Sequence, residues 1–392
     1  MGMMFGPGNA GKTTLVKALR LGLCTAPAFS PEELTHFRNI AIANIIESTT
    51  ILLGQANIMD PIVHMDPMYI ELKESLNKET FDLKEIIEDN WEIISKRQAY
   101  IIEAFWNSKF CANLWKRRRE FNVHMNDNTS HFLPRASMIC DRTKMLSNTD
   151  ILMVREETKL LSQYELKTSS SFLGTISILD QGGQENHQEE YERKDSKLFQ
   201  KYVDGSNFLF VVIPIGDLLE EEKSGSIVKG LRLLNSLLET SSKVNKPSLS
   251  LCPSEVLYAT FKNTGIIVIQ NKLDKLTGIT DSDLSDWLRV AKSRKDCDPW
   301  LKGVLESHEN EKELKGGAAT FFFNVVESVQ KLHSEYTGQL VVLSDSLTNY
   351  NDKLVTELTD AIGKTIEGEL GVLGLTEEAT QNPIARVEMS RN

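Results

Sequence analysis

Residues 6–13 read GPGNAGKT. The glycines Gly6, Gly8 and Gly11 let a backbone curl until successive N–H groups converge on one point, and an anion is the natural guest there. Lys12 has the reach to meet the β- and γ-phosphates of a nucleotide, and the Thr13 hydroxyl follows where a ligand to Mg²⁺ is needed. Asn9 and Ala10 complete the loop, and Thr14 supports it. A helix starting near Lys12 would point its N-terminal partial charge at the same anion. This chemistry is nucleotide phosphate binding, and it leaves both the base and the fate of the phosphate open.

Two further strings address those questions. Residues 265–274 read GIIVIQNKLD. The apolar run predicts a buried parallel strand with Asn271, Lys272 and Asp274 at its carboxyl end, where such sheets bind ligands. A carboxylate at Asp274 can accept from the N1–H and the exocyclic amine of guanine together, a donor pair that adenine does not offer. Asn271 would tie this loop to the phosphate loop, and the Lys272 stem would cover the purine face. Residues 172–179 predict another strand, which ends in Asp180-Gln181-Gly182-Gly183-Gln184. Asp180 would hold Mg²⁺ through a water, and the Gly183 N–H would donate to the γ-phosphate. Gln184, donor and acceptor on one side chain, would orient an attacking water.

These residues need a frame. Strand, loop and helix follow one another at residues 3–13, and the run at 265–270 supplies a second parallel strand, so the expected fold is α/β. With 392 residues the chain has room for two domains or three. About 165 residues separate the phosphate loop from DQGGQ, far more than a connection within one domain needs. Helical periodicity runs through residues 72–76, 81–87 and on to Phe105, which predicts an inserted all-α domain. A formal net charge of -11 argues against a dedicated nucleic-acid binder. The five cysteines lack CxxC spacing, so neither a disulfide framework nor a zinc site is expected, and a reducing, cytoplasmic setting is. No membrane span or signal peptide is evident, and Gly6 stands where the myristoylation motif that would use Gly2 wants Ser or Thr.

A helical insert at this place resembles the heterotrimeric G-protein α subunits. Trp106-Asn107-Ser108 with residues 115–121 (WKRRREF) is similar to that family's tryptophan and RRxEY-type helix, and Asn126-Asp127-Asn128 with His131-Phe132-Leu133 to its NDS…YFL segment. Residues 150–158 (DILMVREET) match the DVLRxRxxT linker. The resemblance implies a P-loop GTPase domain with a parallel-type sheet, interrupted by an all-helical domain that closes over the nucleotide. The expected parts are 1–24 and 150–370 for the GTPase domain, 25–149 for the insert and 371–392 for a tail. It further implies Arg155 as a built-in arginine finger that makes hydrolysis slow but self-sufficient, Thr158 as a Mg²⁺ ligand beside Thr13 and Asp180, and nucleotide contacts at Asp127, Asn128, Leu152 and Val154. Mg²⁺, GTP and GDP are the implied cofactor, substrate and product. The implied partners are a βγ dimer and a membrane receptor, with placement at the inner face of the plasma membrane through them.

Departures from the family fall on the partner surfaces. Its long N-terminal helix, which carries lipid and docks βγ, is missing from this sequence, and the cysteine-containing receptor tail has no match after Gly368. Residues 185–191 read ENHQEEY where the family is basic, a reversal of charge. After a strand expected at 339–343, Ser344 takes the place of the loop that meets guanine O6, with Asp345 beside it. Residues 240–262 read as an inserted loop. Other readings are an ADP-ribosylation-factor-like GTPase, which would lack the insert, a nucleotide-binding scaffold with little hydrolysis, and a P-loop ATPase or kinase, which Asp274 opposes.

Overall fold

The computed structural model describes residues 1–24, 27–59, 70, 74, 94–121, 123, 125–156, 162–168, 173–180, 206–220, 225–243, 264–309, 317–333, 336, 338–348 and 352–372. Backbone contacts divide the chain into two units, Met1–Ala26 with Thr158–Asn392, and Pro27–Glu157.

The first unit begins with β1 (Gly2–Phe5) and α1 (Lys12–Leu23). The second holds α2 (Pro31–Met59), α3 (Lys96–Trp106), α4 (Lys109–Lys116), α5 (Thr129–Phe132), α6 (Ala136–Cys140) and α7 (Asn148–Met153). The chain then returns to the first unit through β2 (Ser162–Lys167), β3 (Thr175–Asp180), β4 (Phe208–Ile213), α8 (Ser226–Lys243), β5 (Gly265–Gln270), α9 (Asp281–Ser293), α10 (Pro299–Ser307), α11 (Ala318–Lys331), β6 (Leu340–Ser344) and α12 (Asp352–Val372). Among the described residues no helix is long and apolar enough to cross a membrane.

In the first unit the strands order β2-β3-β1-β4-β5-β6. All neighbours run parallel except β2, which pairs antiparallel with β3. Thr168 closes that pair onto Gly174 through its amide (2.9 Å) and hydroxyl (2.8 Å). The connection is too short for the crossover that a parallel partner requires, so the sheet gains an antiparallel edge. Strand alternation divides the core. Met3, Leu209, Val211, Ile266 and Val268 face α8, α9, α10 and α11. Met4, Phe208, Phe210, Ile267 and Ile269 face α1 and α12. With both faces covered, β4 and β5 are buried along their whole length, the usual state of parallel strands between helices. Helix α8 reaches Lys243, four residues into the stretch expected to be a loop, because its apolar stripe of Leu231, Leu234, Leu237 and Leu238 continues the helical period toward that end.

Among the described residues of the second unit the regular elements are all helices, joined by turns. Ser95 with Gln98 and Ser147 with Asp150 form capping boxes that start α3 and α7, and Trp106 meets Trp115 edge to face at 5.1 Å. Residues 72–93, expected to be helical, lie outside the described residues apart from Glu74, which is in a helical turn. Residues 150–156, expected with the GTPase part, pack with the helical unit. Asp150 gives the physical reason: fully buried, it accepts from His131 Nε2 at 2.8 Å, from Arg135 at 3.0 Å and from the Ser147 hydroxyl at 2.7 Å. Burial alone would raise its pKa, but these hydrogen bonds and the Arg135 charge outweigh it and bring the carboxyl down to about 2 from an ordinary 3.8.

A carboxylate with a depressed folded pKa contributes stability that is present above its unfolded pKa and lost as pH falls through the folded one. Asp150→Asn should therefore destabilise the chain by about 3 kcal/mol near neutrality. The gap to wild type should narrow as pH falls from about 4 toward about 2. Denaturant unfolding of both proteins across that range checks this, and a gap independent of pH would refute the assignment.

Candidate functional site

The phosphate loop leaves β1 at Phe5 and enters α1 at Lys12. Its sharpest bends fall at Asn9 (φ 62°) and Gly11 (φ 100°). At Gly11 a Cβ would also collide with the Asn271 carboxamide nitrogen, so both the backbone angle and the close approach require glycine. At Gly6 a Cβ would lie 2.6 Å from the Val212 carbonyl oxygen. Lys12 turns inward and donates to the carbonyls of Gly6 (2.8 Å) and Pro7 (3.0 Å). Burial pushes its ammonium down to about 8, with the Asp180 carboxylate acting in the opposite direction. A cation so held at α1's N-terminus suits a ligand with several negative oxygens.

The base loop docks directly on this one. Asn271 donates from Nδ2 to the Ala10 carbonyl at 2.8 Å and accepts at Oδ1 from the Leu347 N–H at 3.1 Å. One buried carboxamide thus joins the phosphate loop, the end of β5 and the turn after β6. Lys272 adopts a left-handed backbone (φ 65°), and its ammonium bonds Asp217 at 2.7 Å. Asp274 is exposed and accepts from the Ser346 hydroxyl at 2.6 Å. The hydroxyl of Ser344, the expected base contact, donates to Gln270 Oε1 on the neighbouring strand at 2.9 Å. The hydroxyl that reaches the base-loop carboxylate is that of Ser346, two residues on. The Asp345 carboxylate is turned onto the Ser346 N–H at 2.7 Å.

The Thr13 hydroxyl donates to Asp180 Oδ2 at 2.7 Å. A hydroxyl and a buried carboxylate at the head of the phosphate loop are oxygen donors of the kind that hold Mg²⁺ together with phosphate and water, so these residues fit that ion. Thr158, Gly183 and Gln184 lie outside the described residues, while Gly8 and Thr14 sit partly exposed in the loop and first turn.

Within the helical unit, the Arg155 guanidinium bonds Asn126, which in turn donates to Glu47 at 2.7 Å. The Arg155 backbone is held by Asn44, whose Oδ1 accepts from its N–H at 3.1 Å. Asn128 is buried and donates to Asn44 (2.7 Å) and to the Met153 carbonyl (3.0 Å). Leu152 and Val154 place their side chains in the apolar interior, whereas Asp127 is exposed. Asn44 and Glu47 sit on α2, far upstream in sequence, and no local pattern marks them as supports for Arg155.

A Lys-Thr phosphate loop after a buried parallel strand, with an Asn-Lys-x-Asp loop bolted to it, defines a P-loop nucleotide-binding domain. The comparison with known families narrows the class: a model of the G-protein alpha subunit matches residues 3–310, and the chain belongs to that family. It is 24% identical over 278 residues to the rat (Rattus norvegicus) guanine nucleotide-binding protein subunit alpha-15, covering 70% of this chain and 63% of the rat protein. The human (Homo sapiens) subunit alpha-13 is 22% identical over 283 residues, covering 70% and 65%. The Caenorhabditis elegans alpha-14 subunit is 26% identical over 230 residues, covering 57% and 50%. The chain thus spans less than two thirds of the length of these relatives.

Asn271→Ala removes both ties and leaves a buried carbonyl and amide without their partner. The expected cost is about 1–3 kcal/mol of folding stability, read by denaturant unfolding of the full chain. Unchanged stability would show that the two loops do not depend on this side chain.

Proposed function

We propose that this chain is a guanine-nucleotide switch that binds GTP with Mg²⁺ and hydrolyses it to GDP and phosphate. The observation that carries the reading is Asp274, oriented by Ser346 in a loop that Asn271 fastens to the phosphate loop. A carboxylate there is matched to the paired donors of guanine. Lys12 and the loop amides bind and orient the phosphates, and Thr13 and Asp180 would hold the metal. When bound, Mg²⁺ neutralises charge developing on the phosphate oxygens.

The catalytic roles rest on the sequence pattern and the family. Gln184 orients water, Gly183 senses the γ-phosphate, and Thr158 completes the metal set. Arg155, aligned with the family's linker arginine, stabilises the charge growing between the β- and γ-phosphates. Release of GDP resets the cycle. Leu152, Val154, Asp127 and Asn128 serve the nucleotide from the helical side, and the parts so defined are those of a GTPase domain with a helical insert. The family supports a βγ dimer and a membrane receptor as partners and a cytoplasmic site at the inner face of the plasma membrane. The acidic stretch at residues 185–191 selects among βγ and effector surfaces by charge.

Two measurements test this. In single-turnover hydrolysis with Mg²⁺, Arg155→Ala and Gln184→Leu should still bind GTP but lose at least about a hundredfold in rate; variants that hydrolyse as wild type does would leave a nucleotide-binding scaffold as the better account. Asp274→Asn should shift preference from guanosine to xanthosine triphosphate, because a carboxamide donor suits the xanthine C2 carbonyl. An unchanged base preference would remove Asp274 from the base site.

A further inference from the structure

In a guanine site the Lys272 stem is expected to cover the purine face, and the structure shows what holds that side chain. The 3-10 turn Ile215–Glu220 follows β4 and abuts the base loop so closely that a Cβ on Gly216 would overlap the Lys272 carbonyl oxygen. The Asn271 N–H donates to the Ile213 carbonyl at 2.9 Å, and the Gly216 N–H to the Asn271 carbonyl at 3.3 Å. On this seam Asp217, its side chain 7% exposed, accepts from Lys272 Nζ at 2.7 and 3.0 Å and from Lys275 Nζ at 2.9 Å. Glu220 stands 3.7 Å from the Lys275 ammonium. One buried carboxylate therefore bonds both ammonium groups, with Glu220 adding charge on the Lys275 side, and the Lys272 side chain is itself only 13% exposed.

We propose that Asp217 is a positioning residue for the purine: by fixing the Lys272 ammonium at its far end, it presents the lysine stem already ordered to the base and so lengthens the residence of GDP and GTP alike. A lysine has the largest class of rotamer entropy among side chains. If its ordering belongs to folding, nucleotide binding need not repeat it. Without Asp217 the Lys272 and Lys275 ammonium groups would repel each other at short range, and the stem would leave the plane it now occupies. The effect acts on the base alone, since Asp217 meets neither the phosphate loop nor the metal donors in any described bond. This inference rests on the guanine-nucleotide reading above.

The test is GDP dissociation from the full chain in the presence of Mg²⁺. Asp217→Asn should release GDP up to about tenfold faster, and Asp217→Glu, which keeps the charge, should recover most of the difference. The single-turnover rate of GTP already bound should not change, which separates positioning of the base from damage to the catalytic groups. In a Lys272→Met background, Asp217→Asn should add nothing, because its action passes through that ammonium. If Asp217→Asn does not fold, Lys272→Met alone must show the faster release. Wild-type dissociation from both single variants overturns the proposal, as does an equal acceleration by Asp217→Asn with and without Lys272. A wild-type chain that binds no guanine nucleotide overturns the reading beneath it, and this inference with it.

Discussion

The carboxamide of Asn271 is the constraint on which the site depends. Its nitrogen holds the Ala10 carbonyl of the phosphate loop and its oxygen the Leu347 amide after β6, so three connections from distant parts of the chain take one arrangement. The sheet makes this arrangement available. Parallel strands β1, β4, β5 and β6 bring their carboxyl ends to one edge, where loops from separate strands can meet. Buried apolar side chains on both faces of the sheet fix the heights of those ends, and loops then need only single hydrogen bonds to settle against each other.

Charge in the site follows the same economy of partners. Lys12 spends its donors on Gly6 and Pro7 carbonyls, which keeps a buried cation satisfied and aimed along the loop. Lys272 is neutralised by Asp217, and Asp274 stays exposed with Ser346 on one oxygen. Each ionic group that would address the nucleotide is therefore held by a fixed neighbour, the condition for electrostatic recognition without reorganisation. In the helical unit Asn44 and Asn126 do the same for Arg155.

Much of this was legible in the sequence because the legible parts are local. The glycines and lysine of residues 6–13 carry their spacing in one stretch, the run GIIVIQ announces a strand buried on both faces, and Asn271 and Asp274 follow it at once. The antiparallel edge strand β2 was not legible, since its direction is set by a short connection rather than by its own residues. Which hydroxyl of the Ser344-Asp345-Ser346 string reaches Asp274 is not legible in the string, because only the end of β6 decides that Ser346 passes beyond the sheet. Asp217 lies more than fifty residues from Lys272 in sequence, and nothing short of the packed sheet brings them together. Residues 150–156 read as a linker into the GTPase part, yet a buried Asp150 with three partners ties them to the helices.

The most direct test of the central claim is equilibrium competition of GTP and ATP for the purified chain with Mg²⁺, followed by displacement of a fluorescent guanine nucleotide. A site in which Asp274 reads paired donors predicts that GTP competes at least about a hundredfold more strongly than ATP. Equal competition by the two, or a preference for ATP, would contradict the account.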